Sequence, residues 1–457
     1  MKDLLSSILR KPSQIIKLAR RSGWHVREGK ILTPQIFATA VVSCVSSGYC
    51  SLREIAIEVG LLTGKTISKQ ALSERFNASS VEFIKGLVTS TLREAYRALP
   101  AHGLENLPRV ARILVGDSTT IRLHPSLIKS FPGASSRDGF QSAQLKLQFT
   151  FELLTGRWLQ AEFGPYCVPD QAAAPDILRG IVRAGDLVIR DLGYAVLEVF
   201  EAIGKKGGFY LSRLNPSIVV MTPDGKRVDL LKLASARSQK TNKTFSTEVL
   251  LGAAKRLPSR LVIICVPEKI AAQRRRKLKD TAKRKCRKQP TKTYLALQSW
   301  EFFVTNLDTK QADDTQLYEL YRLRWRVENL FKISKSLTHL KSIAEHRTNT
   351  YHVETLLWAW ALLMISMGNL GVFRLLEEPA RGAPCEAIVV SISKSLERIF
   401  AWVAPMIQLA AAGDFVTLMA RLAEQQNYHD RYEKRSRLSM SDRITIALKL
   451  RSALPLT

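Results

Sequence analysis

Acid is what this sequence is short of. It sets 40 Asp and Glu against 69 Lys and Arg, a formal charge of +29 over 457 residues. Self-repulsion on that scale is commonly relieved by a polyanion. Nucleic acid fits best, because neutralising its phosphates releases condensed counterions. A basic ribosome-associated protein, or one that is merely soluble, is the plainer alternative. Cysteine is also scarce: the six at 44, 50, 167, 265, 286 and 385 are scattered, with no CxxC and no Cys/His pair at zinc spacing. That argues against structural zinc and for a reducing compartment. Long apolar runs are few. LLWAWALLMISMGNLGVF (356–373) approaches membrane length, but Ser366, Asn369 and two glycines interrupt it, so it reads as a buried helix. The opening MKDLLSSILRKPSQ is amphipathic, without the apolar core and small-residue cleavage site of a signal peptide. No internal repeat or low-complexity tail is evident.

What is present divides by pattern. At 457 residues the chain exceeds one compact core, so two to four domains are expected. Residues 1–105 read as helices. Ser51 and Glu54 form a capping box ahead of the periodic Leu52, Ile55, Ala56 and Val59. A second short helix, SKQALSERF (68–76), follows Gly60 and Gly64. The pair suggests a helix-turn-helix with a long turn, or equally an ordinary helical hairpin. From 106 the pattern turns to strands and helices. ARILVGD (111–117) and DLVIRD (186–191) are apolar runs ending in Asp, and LKLQFTFEL (145–153) alternates in period two. RWLQAEF (157–163) returns after Thr155-Gly156, helices are expected at 171–184 and 195–205, and FYLSR (209–213) is a further strand. The whole is a mixed α/β sheet. Between 214 and 306, strands such as LQSWEFFVT are separated by basic loops. The densest, QRRRKLKDTAKRKCRKQPTK (273–292), includes Arg274, Arg275 and Arg276 and is expected either in solvent or on DNA. Beyond 311 the chain reads as helical.

The chemistry that these features suggest is phosphodiester cleavage. Two Mg²⁺ ions roughly 3.5–4 Å apart can activate water and stabilise the leaving oxygen, and they require only a few converging carboxylates. Asp117 and Asp191 each close an apolar run, so neighbouring strands would bring both to one sheet edge. In YRLRWRVENLFKISK (321–335), Tyr321, Arg324, Glu328 and Lys335 fall within an arc of about 60° on an ideal helix. A carboxylate among cations suits a site that holds metal and phosphate together. An exposed helix with an Arg324–Glu328 pair explains the same spacing. His124, His339 and His346 lie near these motifs, but hard Mg²⁺ prefers oxygen.

The spacing Y-x2-R-x3-E-x6-K resembles the YREK signature of bacterial insertion-sequence transposases of the insertion-sequence four family. These carry a DDE triad on an RNase H-like fold. GDSTTIRL (116–123) is similar to the family's first-aspartate motif and RDLGY (190–194) to its second, with Leu192 in place of the usual basic residue. The resemblance implies an RNase H-like core at 106–213 and 307–375, and a β-rich insertion at 214–306. It further implies that the helical residues 1–105 form a DNA-binding domain for the element ends; the region 376–457, helical by its pattern, matches none of the family's motifs. Asp117, Asp191 and Glu328 would hold Mg²⁺, with Mn²⁺ able to substitute, and Tyr321, Arg324 and Lys335 would grip DNA phosphates. Trp300 stands 21 residues before Tyr321 and shares a strand face with Phe302 and Val304. It either packs in the insertion's core or, as in hairpin-forming family members, stacks on a flipped base. The implied activity is cut-and-paste transposition by a homodimer at terminal inverted repeats, in a bacterial cytoplasm. The alternatives are a nuclease of the same fold without strand transfer and a domesticated, non-catalytic DNA-binding regulator.

Overall fold

The computed structural model describes residues 12–27, 29, 31–63, 65–97, 107, 109–135, 139, 141–170, 180–238, 244–284, 288–324, 340–369 and 401. Of the C-terminal region expected to be helical, only Ala401 is among them, and most of the helix expected at 171–184 also lies outside. In chain order come α1 (Pro12–Arg21), α2 (Pro34–Ser47), α3 (Leu52–Thr63), α4 (Lys69–Ser73) and α5 (Ala78–Arg97). Next are β1 (Arg112–Arg122), β2 (Pro132–Ser135), β3 (Gln141–Glu152), β4 (Trp158–Pro165) and β5 (Asp186–Arg190). Then follow α6 (Leu197–Lys205), β6 (Phe209–Arg213), β7 (Val220–Met221), α7 (Leu230–Ser238), β8 (Thr244–Leu251) and β9 (Leu257–Cys265). The last are α8 (Glu268–Arg284), α9 (Lys292–Ala296), β10 (Trp300–Thr305), α10 (Asp314–Arg322), α11 (Leu340–Glu345) and α12 (Thr350–Asn369).

These elements form two compact units. One comprises Met1–Pro100, Asp117–Val168 and Trp325–Arg443, the other Ala101–Gly116, Pro169–Arg324 and Ile444–Thr457. Strand β1 crosses the boundary, with Arg112–Gly116 in the second unit and the remainder in the first.

In the first unit the strands run β2-β3-β1, with β4 also paired to β3. β3 differs from the one-faced strand that its alternation suggests. Leu145, Leu147, Phe149 and Phe151 are buried, but so are Lys146, Gln148, Thr150 and Glu152 between them. The polar residues find partners inside. Lys146 donates to the carbonyl of Val168 at 2.7 Å, Thr150 donates to Gln160 Oε1 at 2.8 Å, and the Glu152 carboxylate accepts the N–H of Thr155 at 2.7 Å. Both faces are therefore covered, and internal hydrogen bonds offset the desolvation of the polar row.

The helices of this unit start as their sequences dictate. Ser51 Oγ accepts the N–H of Glu54 at 3.2 Å, the capping box at the head of α3, and Ser68 Oγ accepts the N–H of Ala71 at 3.1 Å to begin α4. α4 has five residues and packs on α3. The apolar stretch near 356–373 is α12, and it is buried on every side from Leu356 to Gly368. α5 and α2 cover part of it and β4 another part. The Trp358 ring lies 4.2 Å from Phe163, Trp360 lies 5.8 Å from Phe149, and the Ser80 and Thr355 hydroxyls share a buried hydrogen bond of 2.8 Å. A helix with no solvent face has no polar stripe, hence its all-round apolar sequence. Gly368 is required by close approach, since a Cβ there would come within 2.3 Å of the Trp158 ring. No helix among the described residues is long and apolar enough to cross a membrane.

In the second unit the order is β1-β5-β6-β10-β9-β8-β7. β5 runs parallel to β1 and β6, whereas β10 is antiparallel to β6 and β9. A buried ion pair ties β1 to β5. Arg112 Nε and Nη2 donate to the two Asp186 oxygens, each at 2.7 Å, and the backbone N–H of Arg183 gives Asp186 a third bond of 2.7 Å. Arg112 is 3% exposed and Asp186 fully buried, so removing either partner strands a charge in a low-dielectric interior.

Arg112→Ala is expected to destabilise the protein by about 3–5 kcal/mol, whereas Arg112→Met combined with Asp186→Leu recovers most of that loss. Urea unfolding midpoints of the two variants check this, and a single variant with the wild-type midpoint would show that the pair is not a structural tie. A second expectation concerns pH. His352 packs 4.3 Å from the Phe76 ring with Nε2 buried and unpartnered, and burial, helped by Arg347, pushes its pKa from 6.5 down to about 4. The unfolded chain therefore takes up a proton that the folded one refuses. Stability is fully present above pH 6.5 and falls as pH drops towards about 4. Thermal melts across that window should show the slope, and His352→Leu should flatten it.

Candidate active site

The site begins with strand register. β1 and β5 pair in parallel from Arg112 opposite Asp186 to Gly116 opposite Arg190, and the residues next along the two strands are Asp117 and Asp191. Every β5 residue is buried, as are Arg112–Gly116 of β1, so the paired stretch is enclosed on both faces and the Arg112–Asp186 pair at its start selects one register. The two strands end differently. β5 stops at Arg190, and Asp191 leads into a 3₁₀ turn over Leu192–Tyr194, its carbonyl accepting the N–H of Tyr194 at 3.0 Å. Its carboxylate takes no part in that cap and its side chain is 44% exposed. β1, read from the sequence as ending at Asp117, instead continues to Arg122. The strand is prolonged because β3 takes over as its neighbour in the sheet order. Asp117 is thus a mid-strand, half-buried residue whose Oδ1 accepts the N–H of Ser118 at 2.7 Å.

Arg324 and Tyr321 come from the end of α10. Asp313 caps that helix by accepting the N–H of Gln316 at 2.8 Å, and Asp314 pairs with Arg260 of β9. The continuous helical stripe expected over 321–335 is broken at its first step. α10 ends at Arg322, and the N–H of Arg324 bonds to the carbonyl of Tyr321 at 3.1 Å, a tightened last turn. That turn carries the Arg324 guanidinium to 3.8 Å from Asp191 Oδ1. Glu328 and Lys335 lie outside the described residues.

Tyr321 is 8% exposed, its ring is 4.9 Å from Phe303, and its hydroxyl is buried. Packing against β10 turns it inward, beneath Arg324, whose guanidinium lies 5.7 Å from the ring centre. Burial pushes the phenol up to about 12, so near neutral pH it stays protonated. The arrangement is a carboxylate held against a guanidinium that is braced by a neutral phenol. Arg213, at the end of β6, adds positive potential at Tyr321.

Trp300 opens β10, opposite Cys265 of β9. It and Phe302 are half-buried, while Val304 is fully buried. Of the three residues expected on one packed face, only Val304 is a core residue. Its neighbours in sequence are tied to the preceding basic segment: Arg275 Nη1 donates to Ser299 Oγ at 3.0 Å and Arg274 pairs with Glu301. Those arginines belong to the segment expected as a basic loop. Residues 268–284 are in fact the helix α8. Lys, Arg, Gln and Ala are good helix formers, and carboxylates inside and outside the run relieve its charge. Arg275 pairs with Glu268, and Arg276 lies 3.9 Å from Asp280.

Sequence reasoning missed the Arg112–Asp186 pair, although a signal was there. Each stands five residues before its aspartate, in two apolar runs of equal length. As donors for a metal, aspartate carboxylates are hard oxygens of the kind Mg²⁺ takes, and Asp191 in particular is half-exposed and free of capping duty. Among the described residues there is no cluster of three or more His, Cys, Asp or Glu fit to hold a metal.

Comparison with known proteins follows the same path. A family described as "Transposase DDE domain" matches residues 108–364, more than half of the chain. The transposase for insertion sequence element IS231D of Bacillus thuringiensis subsp. finitimus is 27% identical over 445 residues, 93% of this chain and 91% of that protein. The transposase for insertion sequence element IS1151 of Clostridium perfringens is 26% identical over 72% of each chain. Among solved structures, a piggyBac transposase synaptic complex with hairpin DNA aligns at TM-score 0.46 and 8% identity, over 96% of this chain and 86% of the other. The match across 108–364 leads to one conclusion: the chain, with its mixed α/β sheet, belongs to the DDE transposase family, enzymes of DNA transposition.

Proposed function

We propose that the chain performs cut-and-paste transposition with Asp117, Asp191 and Glu328 as a metal-holding triad. The observation that carries this reading is the β1–β5 register, which ends at Gly116 opposite Arg190 and so makes the two aspartates the next residues on parallel neighbours. Bound Mg²⁺, or Mn²⁺ in its place, would lower the pKa of the attacking water and neutralise charge on the leaving oxygen. The chain's own residues orient the DNA. Arg324 and Lys335 hold phosphate oxygens beside the scissile bond, Arg324 through its planar fork of donors. Tyr321 braces Arg324 from below, and Arg324 in turn restrains Asp191.

The reaction is a series of phosphoryl transfers at one site, with no covalent protein intermediate. Water attacks one strand, and the broken P–O bond leaves a 3′-hydroxyl. That hydroxyl attacks the opposite strand, so its oxygen forms a new P–O bond as the old one breaks, giving a hairpin. A second water opens the hairpin and restores the 3′-hydroxyl, which then attacks target DNA. A closed hairpin cannot keep every base stacked. Half-buried at the start of β10, with Ser299 and Glu301 on either side of it anchored to Arg275 and Arg274, Trp300 is suited to stack on the displaced base. The helical N-terminal segment binds the terminal inverted repeats, and two copies of the chain work together on paired ends in a bacterial cytoplasm.

The direct test incubates purified protein with the ends of its own element and Mg²⁺ and resolves the products on a denaturing gel. Asp117→Asn, Asp191→Asn and Glu328→Gln are each expected to abolish cleavage while end binding persists. Mn²⁺ should support cleavage and Ca²⁺ binding alone. Any one of these variants cutting at the wild-type rate removes that residue from the triad. On the same gels Trp300→Ala should accumulate nicked DNA with little hairpin, and Trp300→Phe should recover part of the yield. Normal hairpin formation by the alanine variant would refute the stacking role. Arg324→Gln is expected to slow cleavage by about 100- to 1000-fold with binding largely kept, the usual loss for a donor aimed at transition-state charge. A loss of less than about threefold would show that Arg324 serves only to pair with Asp191.

A further inference from the structure

Helix α8 sorts its charges by face. Ala271 and Ala282 are buried, and Arg274, Arg275 and Leu278 are half-buried beside them. Arg274 and Arg275 reach Glu301, Ser299 and Glu268. The opposite side is exposed and carries Lys269, Arg276, Lys277, Lys279, Lys283 and Arg284. At about 100° per residue these six cations span an arc of about 160°, and Asp280 is the one carboxylate within it. Its pairing with Arg276 is weak, at 3.9 Å with side chains 87% and 71% exposed. From Lys269 to Arg284 the row extends about 22 Å along the helix axis. The three consecutive arginines, alike in the sequence, thus have different surroundings: two are half-buried and reach Glu301, Ser299 and Glu268, and one faces out.

A row of this kind, largely unneutralised and fixed to the sheet by its inner face, needs an anionic partner of matching length. Duplex DNA presents one charge per about 1.7 Å of its axis. We propose that the outer face of α8 docks the phosphate backbone of duplex DNA through Arg276, Lys277, Lys283 and Arg284. Arg274 and Arg275 make no DNA contact and instead tie α8 to the strand that carries Trp300. This rests on the transposase reading and deepens it. A phosphate contact holds the duplex in place without reading its sequence, so the surface serves any DNA that the active site engages.

Fluorescence anisotropy tests the assignment, with a labelled element-end duplex and a random-sequence duplex titrated across a range of KCl concentrations. The triple variant Arg276→Gln, Lys277→Gln, Arg284→Gln should weaken binding to both duplexes. Its log–log salt slope should be shallower by about 0.9 per lost contact, so by up to about 2.7. The double variant Arg274→Gln, Arg275→Gln should keep the wild-type slope and lower the thermal midpoint instead. A folded triple variant with an unchanged slope overturns the proposal, and so does a double variant that flattens the slope as much as the triple. Wild-type protein that binds neither duplex would overturn the transposase reading as well. Wild-type protein that binds and cleaves, beside a triple variant of unaltered slope, overturns only the role of α8.

Discussion

A single buried ion pair, Arg112 with Asp186, underlies the geometry on which the catalytic reading depends. It sits where β1 and β5 begin to pair, and the aspartates follow five residues later on each strand. Parallel pairing between apolar strands would tolerate neighbouring registers if hydrophobicity alone decided. A bidentate charge pair does not, because a slip of one residue would leave a guanidinium and a carboxylate buried apart. Such pairs are weak evidence for net stability and better evidence for uniqueness of arrangement. Here the arrangement fixed is the relative advance of two strands whose next residues are the aspartates of the proposed triad.

The same division between holding and acting recurs around α10 and α8. Tyr321 is buried against Phe303, and the residue three positions on is directed to Asp191. Arg274 and Arg275 turn inward and brace the residues on either side of Trp300. In both places a side chain that the sequence presents as a DNA contact packs against or pairs with its neighbours. Aromatic rings and guanidinium stems have large apolar bodies, and burying them against a sheet stabilises more than leaving them in water.

Much of the fold was legible in the sequence, for reasons that can be named. The Ser51–Glu54 capping box, the apolar run of β5 and the all-round apolar α12 are local signals, each decided by residues near in sequence. The family motifs likewise place Asp117, Asp191 and Tyr321 without knowledge of packing. The elements that went unread are those that distant partners decide. β1 runs past Asp117 because β3 flanks it, and the polar row of β3 is inside because Val168 and Gln160 lie there to receive it. A helix ends after Tyr321, although no glycine or proline marks the place. The basic segment at 273–292 reads as a loop because such a run of charge cannot bury itself; its first part is helical in the structure, with Glu268, Asp280 and Glu301 as partners for its arginines.

The position of α12 has a consequence for how the molecule is made. Its covering helices, α2 and α5, leave the ribosome more than 250 residues before it does, and Ser80 must wait for Thr355 to form their buried hydrogen bond. Contacts of such long separation form slowly, and until then the apolar faces of α2 and α5 that pack on α12 stay exposed to water or to chaperones. A nascent chain cut short before residue 350 has no α12 to cover those faces. Truncated products are therefore marked for aggregation or proteolysis, and a unit that includes Asp117 is completed only after translation has passed the whole of the catalytic sequence.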